Sequence, residues 1–293
     1  MAVCDLQPEA IIGGSTMDGI TTERAYWSGM AARYHALSPP LRISASEIAI
    51  YAQLASTFQK TNPSPRVLVL GATPDFYHLP WAEHTDLLAV DRSAEMLDQV
   101  WPGNAAQSLR HDWATTDLPA ASRDLALCDG GLSFFRHPDE LQQLAENLGR
   151  IITPGGLLVA RVYVDAAYRE SAADIFAELQ AGRIRNSCEL KLRLWFALNP
   201  SDGSGVKLDD VWQCFQAAFP RPEELTETLS WPSSQVQSMM AYKDLQDTYY
   251  FPSVRQASEI FSHSGNGFTL EACLTPDGPC HQHLKILSFR RND

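Results

Sequence analysis

Cations are scarce in this 293-residue chain: 23 Lys and Arg stand against 35 Asp and Glu, a formal net charge of −12. A surface of that sign has no field with which to neutralise a phosphate backbone, so nucleic acid is excluded as the main partner. Long apolar runs are missing as well. No stretch reaches the roughly 18 consecutive apolar residues that span a bilayer, and the first twenty residues carry no Lys or Arg of the kind that opens a signal peptide. Neither a membrane nor secretion is expected, and the chain reads as cytoplasmic. Cysteine is sparse and never in a CxxC pair: Cys4, Cys128, Cys188, Cys214, Cys273 and Cys280 signal neither a zinc knuckle nor a disulfide framework, but reduced and mostly buried thiols. Cys280-His281-Gln282-His283 gathers metal-ligand types beside a strand-like run, yet no second ligand pair sits at a zinc-like spacing, so no metal is expected. What remains, with 45% hydrophobic residues, is a globular protein long enough for one large domain or two modest ones.

From Arg66 onward strand and helix patterns alternate, as a parallel sheet with crossover helices requires. Arg66–Leu70 is stopped by Gly71, Asp86–Val90 by Asp91, and Asp124–Cys128 by Asp129-Gly130-Gly131. Leu157–Val164 follows the turn Thr153-Pro154-Gly155-Gly156, and a weaker strand is expected at Ala106–Arg110. Ser93 reads as the N-cap of a helix carrying Met96, Leu97 and Val100, and Pro138 opens one with Leu141, Leu144, Ala145, Leu148 and Ile151 at helical spacing. Near the end, Phe268–Leu274 and Leu284–Arg290 flank the turn cluster Thr275–Pro279 and read as an antiparallel hairpin. The remainder is expected to hold helices at Glu47–Gln59, Ala166–Leu179, Leu208–Ala218 and Val254–Phe261, while Leu190–Leu198 fits both a strand period and a helix face.

An open α/β sheet binds its ligand beyond the carboxyl ends of the strands. There the chain places the small residues Gly71-Ala72-Thr73-Pro74, then Asp91, twenty residues after Gly71, a spacing at which a carboxylate accepts hydrogen bonds from ribose hydroxyls. Asp112-Trp113 offers an acid and an indole to an adenine, and Asp129-Gly130-Gly131 leaves an open mouth. Taken singly, Gly71 and Thr73 are equally turn residues, and Asp91 is equally a helix cap. The four together, in order, point to a site.

Those residues resemble the class I S-adenosylmethionine-dependent methyltransferases. Val67–Pro74 looks like the family's first motif, Leu88–Leu97 its second, His111-Asp112-Trp113 its third, Asp124–Gly131 its fourth, and Ile152–Leu158 the turn into its fifth strand. The resemblance implies a Rossmann-like α/β fold: a mostly parallel seven-stranded sheet with a C-terminal antiparallel hairpin. It covers residues 66–164 and 265–293; residues 1–65 would form a mainly helical cover and 165–264 an inserted substrate lid. It further implies S-adenosylmethionine as cofactor, with Gly71, Ala72, Thr73 and Pro74 beside the methionine moiety, Asp91 on the ribose, Arg92 and Met96 flanking the adenine, and Asp112 on its amino group. Trp113, Asp129 and Gly130 complete the cofactor set.

The first motif departs from the family pattern. Leu70, Thr73 and Asp75 stand where the family has an acid and two further glycines, and Pro80 interrupts the first crossover helix. Asp75, or Tyr34 and Arg42 from the N-terminal part, can supply the missing polar contacts. A dinucleotide-binding dehydrogenase shares the turn and the carboxylate, but G-x-G-x-x-G is absent. Nor does Asn/Asp-Pro-Pro-aromatic follow the fourth strand, where nucleic-acid and glutamine amino methyltransferases carry it. These absences favour a small-molecule acceptor, with a protein side chain second. Tyr34, Arg42, Trp212, Tyr242 and Tyr249 are the candidate acceptor contacts, their rings suited to an apolar wall. Arg183, Arg185, Lys191 and Arg193 form a positive cluster that reads either as an anion site or as a solvated helix face. His35, His111 and His137 are solitary, and no catalytic base or oligomeric state is assigned. The alternative to an enzyme is a non-catalytic protein that binds S-adenosylmethionine or S-adenosylhomocysteine as a sensor or structural ligand.

Overall fold

The computed structural model describes residues 26–166, 169–229, 231–263 and 265–292; Cys4 lies outside them. Residues 26–33 are helical (α1), followed by α2 (Ala45–Gln59), β1 (Arg66–Leu70), α3 (Pro74–Tyr77), β2 (Asp86–Asp91), α4 (Ala94–Gln99), β3 (Ser108–Arg110) and β4 (Arg123–Asp129). Next come α5 (Asp139–Ile151), β5 (Ile152–Tyr163), α6 (Ala172–Gln180), α7 (Ser187–Leu198), β6 (Val206–Lys207) and α8 (Leu208–Ala218). The chain continues through α9 (Leu225–Thr228), α10 (Ser233–Met240), β7 (Thr248–Tyr249), α11 (Val254–Phe261), β8 (Phe268–Leu274) and β9 (Leu284–Arg291).

Seven strands form one sheet in the order β3-β2-β1-β4-β5-β9-β8; β1 to β5 run parallel, while β9 is antiparallel to both β5 and β8. Both faces are buried, as the period of two demands. Leu68, Leu70, Ala126, Cys128, Leu158 and Ala160 point to one face, packed with residues of α5 and α11. Val67, Val69, Leu125, Leu127, Leu157 and Val159 point to the other, against Tyr51 and Phe58 of α2. Burial of each such valine, leucine or phenylalanine contributes roughly 1.5–3 kcal/mol. A third apolar cluster joins α6, α7, α8 and α10 to Tyr26, Tyr163 and Leu284.

Several local expectations change. The weak third strand is only Ser108–Arg110, because Asn104 caps a 3₁₀ turn over Ala105–Gln107, its Oδ1 accepting from the Ala106 N–H at 2.9 Å. The turn Thr153–Gly156 is absorbed into β5 as an irregularity: the register jumps from Arg123 opposite Ile152 to Leu125 opposite Leu157, with Gly155 at φ +74°. The helix expected from Ala166 starts at Ala172, where Ser171 supplies the cap and accepts from the Asp174 N–H at 3.1 Å. Leu190–Leu198 is helical. Leu190, Lys191, Leu192, Leu194, Trp195 and Phe196 are all buried, so α7 is buried nearly all round and shows no single hydrophobic face by which a period could be read. Pro80 does limit the first crossover helix: α3 has four residues, after which the Trp81 Nε1 donates to the Phe76 carbonyl at 2.8 Å.

Candidate functional site

The register sets Leu70 beside Val90 on one side and Cys128 on the other. The residues that follow, Gly71, Asp91 and Asp129, therefore share one edge of the sheet, at the place where the chain stops adding strands on one side of β1 and starts on the other. Gly71 has φ +95°, and a β-carbon there would lie 3.3 Å from the Trp113 ring and 3.8 Å from Asp91 Oδ2. Asp91 braces this turn. Its Oδ2 accepts from the Ala72 N–H at 3.1 Å and its Oδ1 from the Ser93 N–H at 2.8 Å, while burial pushes its carboxyl above the usual range against the pull of those N–H groups. Each carboxylate oxygen retains capacity for a further donor. The helix cap itself is Ser93, whose Oγ accepts from the Met96 N–H at 3.2 Å.

Trp113 stands between the turns after β1 and β4. Its Nε1 donates to the Val90 carbonyl at 2.6 Å, and a β-carbon on Gly131 would come within 2.4 Å of its ring. On one side of it opens the larger of two clefts. On the other lies a smaller cleft lined by Arg92, His111, Asp112 and Phe135; Asp91, Trp113, Phe134 and Trp27 border both.

Of the residues expected at a cofactor, Gly71, Ala72, Thr73, Asp91, Met96, Trp113, Asp129 and Gly130 line the large cleft, and Arg92 and Asp112 the small one. Pro74 lines neither; it is buried in the first turn of α3. Of the expected acceptor contacts, Tyr34, Tyr242 and Tyr249 line the large cleft. Arg42 does not: its Nη2 lies 3.4 Å from Asp75 Oδ1, so the two residues proposed to supply polar contacts satisfy each other. Trp212 does not either, being packed in the core against Phe215 with 2% of its surface exposed.

The opposite wall of the cleft comes from Tyr26, Trp27 and Met30 at α1, from Lys191 and Trp195 of α7, and from Tyr242 and Tyr249. Trp195 stacks near-parallel to Tyr242, 6.5 Å between centroids, and meets Tyr249 edge-on at 5.0 Å. Burial keeps the tyrosine hydroxyls protonated, that of Tyr26 pushed up to about 12. Lys191 is 2% exposed. Its Nζ donates to Ser238 Oγ at 2.9 Å and sits 4.1 Å from the Tyr242 ring centroid. Burial draws its pKa from 10.5 down to about 8, with the Cys188 thiol pulling the other way and Arg33 adding slightly to the fall.

The positive cluster expected around Lys191 disperses. Arg183 pairs with Glu178 at 2.6 Å, and Arg193 with Glu170, leaving Lys191 alone in the cleft. The histidines stay apart from the large cleft; burial lowers the pKa of His137, and its Nδ1 has no partner among the described residues.

A residue that periodicity did not single out joins the two walls. Arg161 of β5 is fully buried and uses all five of its N–H donors. Nε binds Asp129 at 2.5 Å, Nη1 binds Glu47 at 3.2 Å and the Pro40 carbonyl at 2.9 Å, and Nη2 binds the Leu41 carbonyl at 3.0 Å and the Tyr163 hydroxyl at 2.9 Å. Glu47 also closes the capping box of α2, its Oε2 accepting from the Ser44 N–H at 2.6 Å. Two carboxylates thus share one guanidinium, and burial raises the Asp129 carboxyl while Arg161 opposes the rise. Beside the cleft this leaves surplus negative charge, suited to a cationic ligand group.

Residues 68–160 match a family model described as a methyltransferase domain. Comparison with curated proteins finds no match. Among solved structures, the chain is similar to a Rhodobacter sphaeroides protein provisionally described as a Zn-dependent alcohol dehydrogenase, at 13% identity and a TM-score of 0.59 over 92% of this chain and 99% of that one. It is also similar to the 1,6-didemethyltoxoflavin-N1-methyltransferase of Burkholderia thailandensis, crystallised with its substrate and S-adenosylhomocysteine, at 12% identity and a TM-score of 0.52 over 98% of this chain and 94% of that one. At such identities both likenesses speak for the fold alone. Among the described residues no group of three or more His, Cys, Asp or Glu is placed to hold a metal, and no helix is long and apolar enough to cross a membrane. The residues matched to that methyltransferase-domain model, 68–160, include the turns after β1, β2 and β4 that line the large cleft.

Proposed function

We propose that this chain transfers a methyl group from S-adenosylmethionine to a small-molecule acceptor. The observation that carries this reading is the two-walled cleft: the strand-end turns of a methyltransferase domain line one side, and tyrosine, tryptophan and a lysine from outside the sheet line the other. The residues fit the cofactor. Asp91 keeps acceptor capacity for ribose hydroxyls, Arg92 and Asp112 border the smaller cleft where an adenine would lie, and the surplus negative charge around Asp129 suits the ammonium of the methionine end. Bound there, S-adenosylmethionine supplies an electrophilic methyl that an acceptor's electron pair displaces in line, the carbon–sulfur pair passing to sulfur. The chain's own contribution is alignment in an apolar, water-poor enclosure, where position rather than covalent help lowers the barrier.

The net charge of −12 supports a small acceptor over nucleic acid, and the unpaired cysteines among the described residues support a cytoplasmic setting. Calorimetry with S-adenosylmethionine and S-adenosylhomocysteine tests the shared premise, and silence with both overturns it. Incubation with methyl-labelled cofactor and a metabolite extract then separates transfer from mere binding. Label appearing in a low-molecular-weight product is the expected result; binding without any transfer leaves a cofactor-binding sensor instead.

A further inference from the structure

The outer wall of the cleft has donors in excess. An ammonium has three N–H donors; for Lys191 one goes to Ser238 Oγ and another direction is occupied by the Tyr242 ring face. No carboxylate among the described residues lies within 4.0 Å of its Nζ, in contrast to Arg161, Arg183 and Arg193. Trp195 and Trp27 line the same cleft, and the Nε1 of each is buried without an acceptor among the described residues. Burying a cation without a counter-charge and leaving N–H groups unmade are both costly. All of these groups ask for acceptor atoms, preferably anionic ones. Around them the wall is flat and aromatic, with Trp195 and Tyr242 near-parallel and Tyr249 edge-on.

We propose that this wall takes a flat, conjugated methyl acceptor carrying an acidic O–H or N–H, such as a phenol, an enol or a heteroaromatic ring, and that Lys191 holds the deprotonated atom while Trp195 Nε1 donates to it. This rests on the methyltransferase reading above and adds the acceptor's chemical class. On binding, the acceptor's proton leaves to solvent and Lys191 remains an ammonium, so the pair is neutral inside the cleft. The atom so held has its electron pair available without a general base, which accords with a cleft that no histidine lines. On its other side Lys191 borders a small cleft shared with Arg33, Gln235 and Ser238, while Cys188 stands one turn back on α7. The facing ionisable groups are thus a cation, a thiol whose pKa burial raises, and the Tyr242 hydroxyl, whose pKa burial also raises; none supplies the missing anion.

The test uses 4-nitrophenol, whose anion alone absorbs in the visible. The probe is titrated with protein saturated in S-adenosylhomocysteine, below the pH at which it ionises in water. Wild type is expected to display the anion band, with ionisation favoured about ten- to thousandfold by the facing ammonium. Lys191→Met should lose the band and Lys191→Arg should keep it, while Trp195→Phe weakens it. Calorimetry with S-adenosylhomocysteine runs alongside and should give the same affinity in all four proteins. A wild type that leaves the probe neutral or unbound, or a Lys191→Met protein that ionises it equally, overturns the proposal. Failure of S-adenosylhomocysteine to bind wild type instead strikes the methyltransferase reading beneath it.

Discussion

The two walls of the cleft satisfy their polar groups in opposite ways. On the sheet wall, Asp91 is held by the Ala72 and Ser93 N–H groups and Trp113 by the Val90 carbonyl; every anchor comes from the backbone of the strand ends. On the outer wall, among the described residues, Lys191 has one hydroxyl acceptor, and Trp195 and Trp27 have none. The first wall is fixed before any ligand arrives, by the same topology that orders the strands. The second leaves a cation without an anion among the described residues, and on the proposed reading a demand of that kind selects among acceptors.

Arg161 holds the walls together, so its removal should have the largest effect. Arg161→Met strands the Asp129 and Glu47 carboxylates in the interior and releases the Pro40 and Leu41 carbonyls. Breaking such a buried network costs about 3–5 kcal/mol, read as the loss of stability in urea unfolding. Arg161→Lys should not restore it, since one ammonium cannot replace five planar donors. A loss below about 1 kcal/mol would mean that the walls pack independently of this residue.

Asp91→Ala comes next and acts on the sheet wall alone. Charged hydrogen bonds contribute about 1.5–3 kcal/mol, so S-adenosylhomocysteine affinity should fall roughly ten- to hundredfold, with Asp91→Asn in between. Full retention of affinity in calorimetry would show that the ribose lies elsewhere.

How far each wall can be read from sequence follows from the same contrast. Gly71, Asp91 and Asp129 end apolar runs, and strand ends are local signals: a β-branched run, a stop, an acid. The outer wall is assembled from α1, α7, Tyr242 and Tyr249, whose meeting depends on packing among segments with no shared period. Lys191 left one trace, a cation inside Leu190-Lys191-Leu192-Arg193-Leu194, but its neighbours in sequence suggested a positive face until Arg193 proved to be paired with Glu170. Trp212 and Tyr242 are equally aromatic and equally central in their segments; only the packing sends one into the core and the other to the cleft. Arg161 lies in a run of strand-like residues, where nothing local announces that two carboxylates and two carbonyls will converge on it.

Lys191→Met sharpens the contrast through stability. Below pH 8 both folded and unfolded chains carry the proton, and the native state bears the full cost of a buried ammonium. Between about 8 and 10.5 the unfolded chain holds more protons, so this residue's contribution to stability rises with pH. Removing the charge therefore stabilises most below pH 8. A shift of this size corresponds to about 3 kcal/mol, offset by the lost contact with the Tyr242 ring and by stem packing, about 1–2 kcal/mol. A net gain of about 1–2 kcal/mol at neutral pH, fading by pH 10.5, is expected in urea melts. An advantage independent of pH would trace to packing and remove the demand attributed to the outer wall.

Arg42→Ala should have the smallest effect, and it tests where the sheet wall ends. Arg42 and Asp75 are each partly exposed, 27% and 22%, at 3.4 Å; such pairs contribute under about 1 kcal/mol and are screened by salt. Neither residue lines a cleft that holds the expected cofactor contacts, so S-adenosylhomocysteine affinity should not change. The outcome matters because Leu70 stands where the family keeps an acid, and Asp75 is the nearest carboxylate after it in the chain. If freeing Asp75 from Arg42 raises affinity, Asp75 reaches the ligand once released, and the acid missing from the first motif has moved along the turn. An unchanged affinity leaves the ligand's ammonium to Asp129, the one of the two carboxylates sharing Arg161 that lines the cleft.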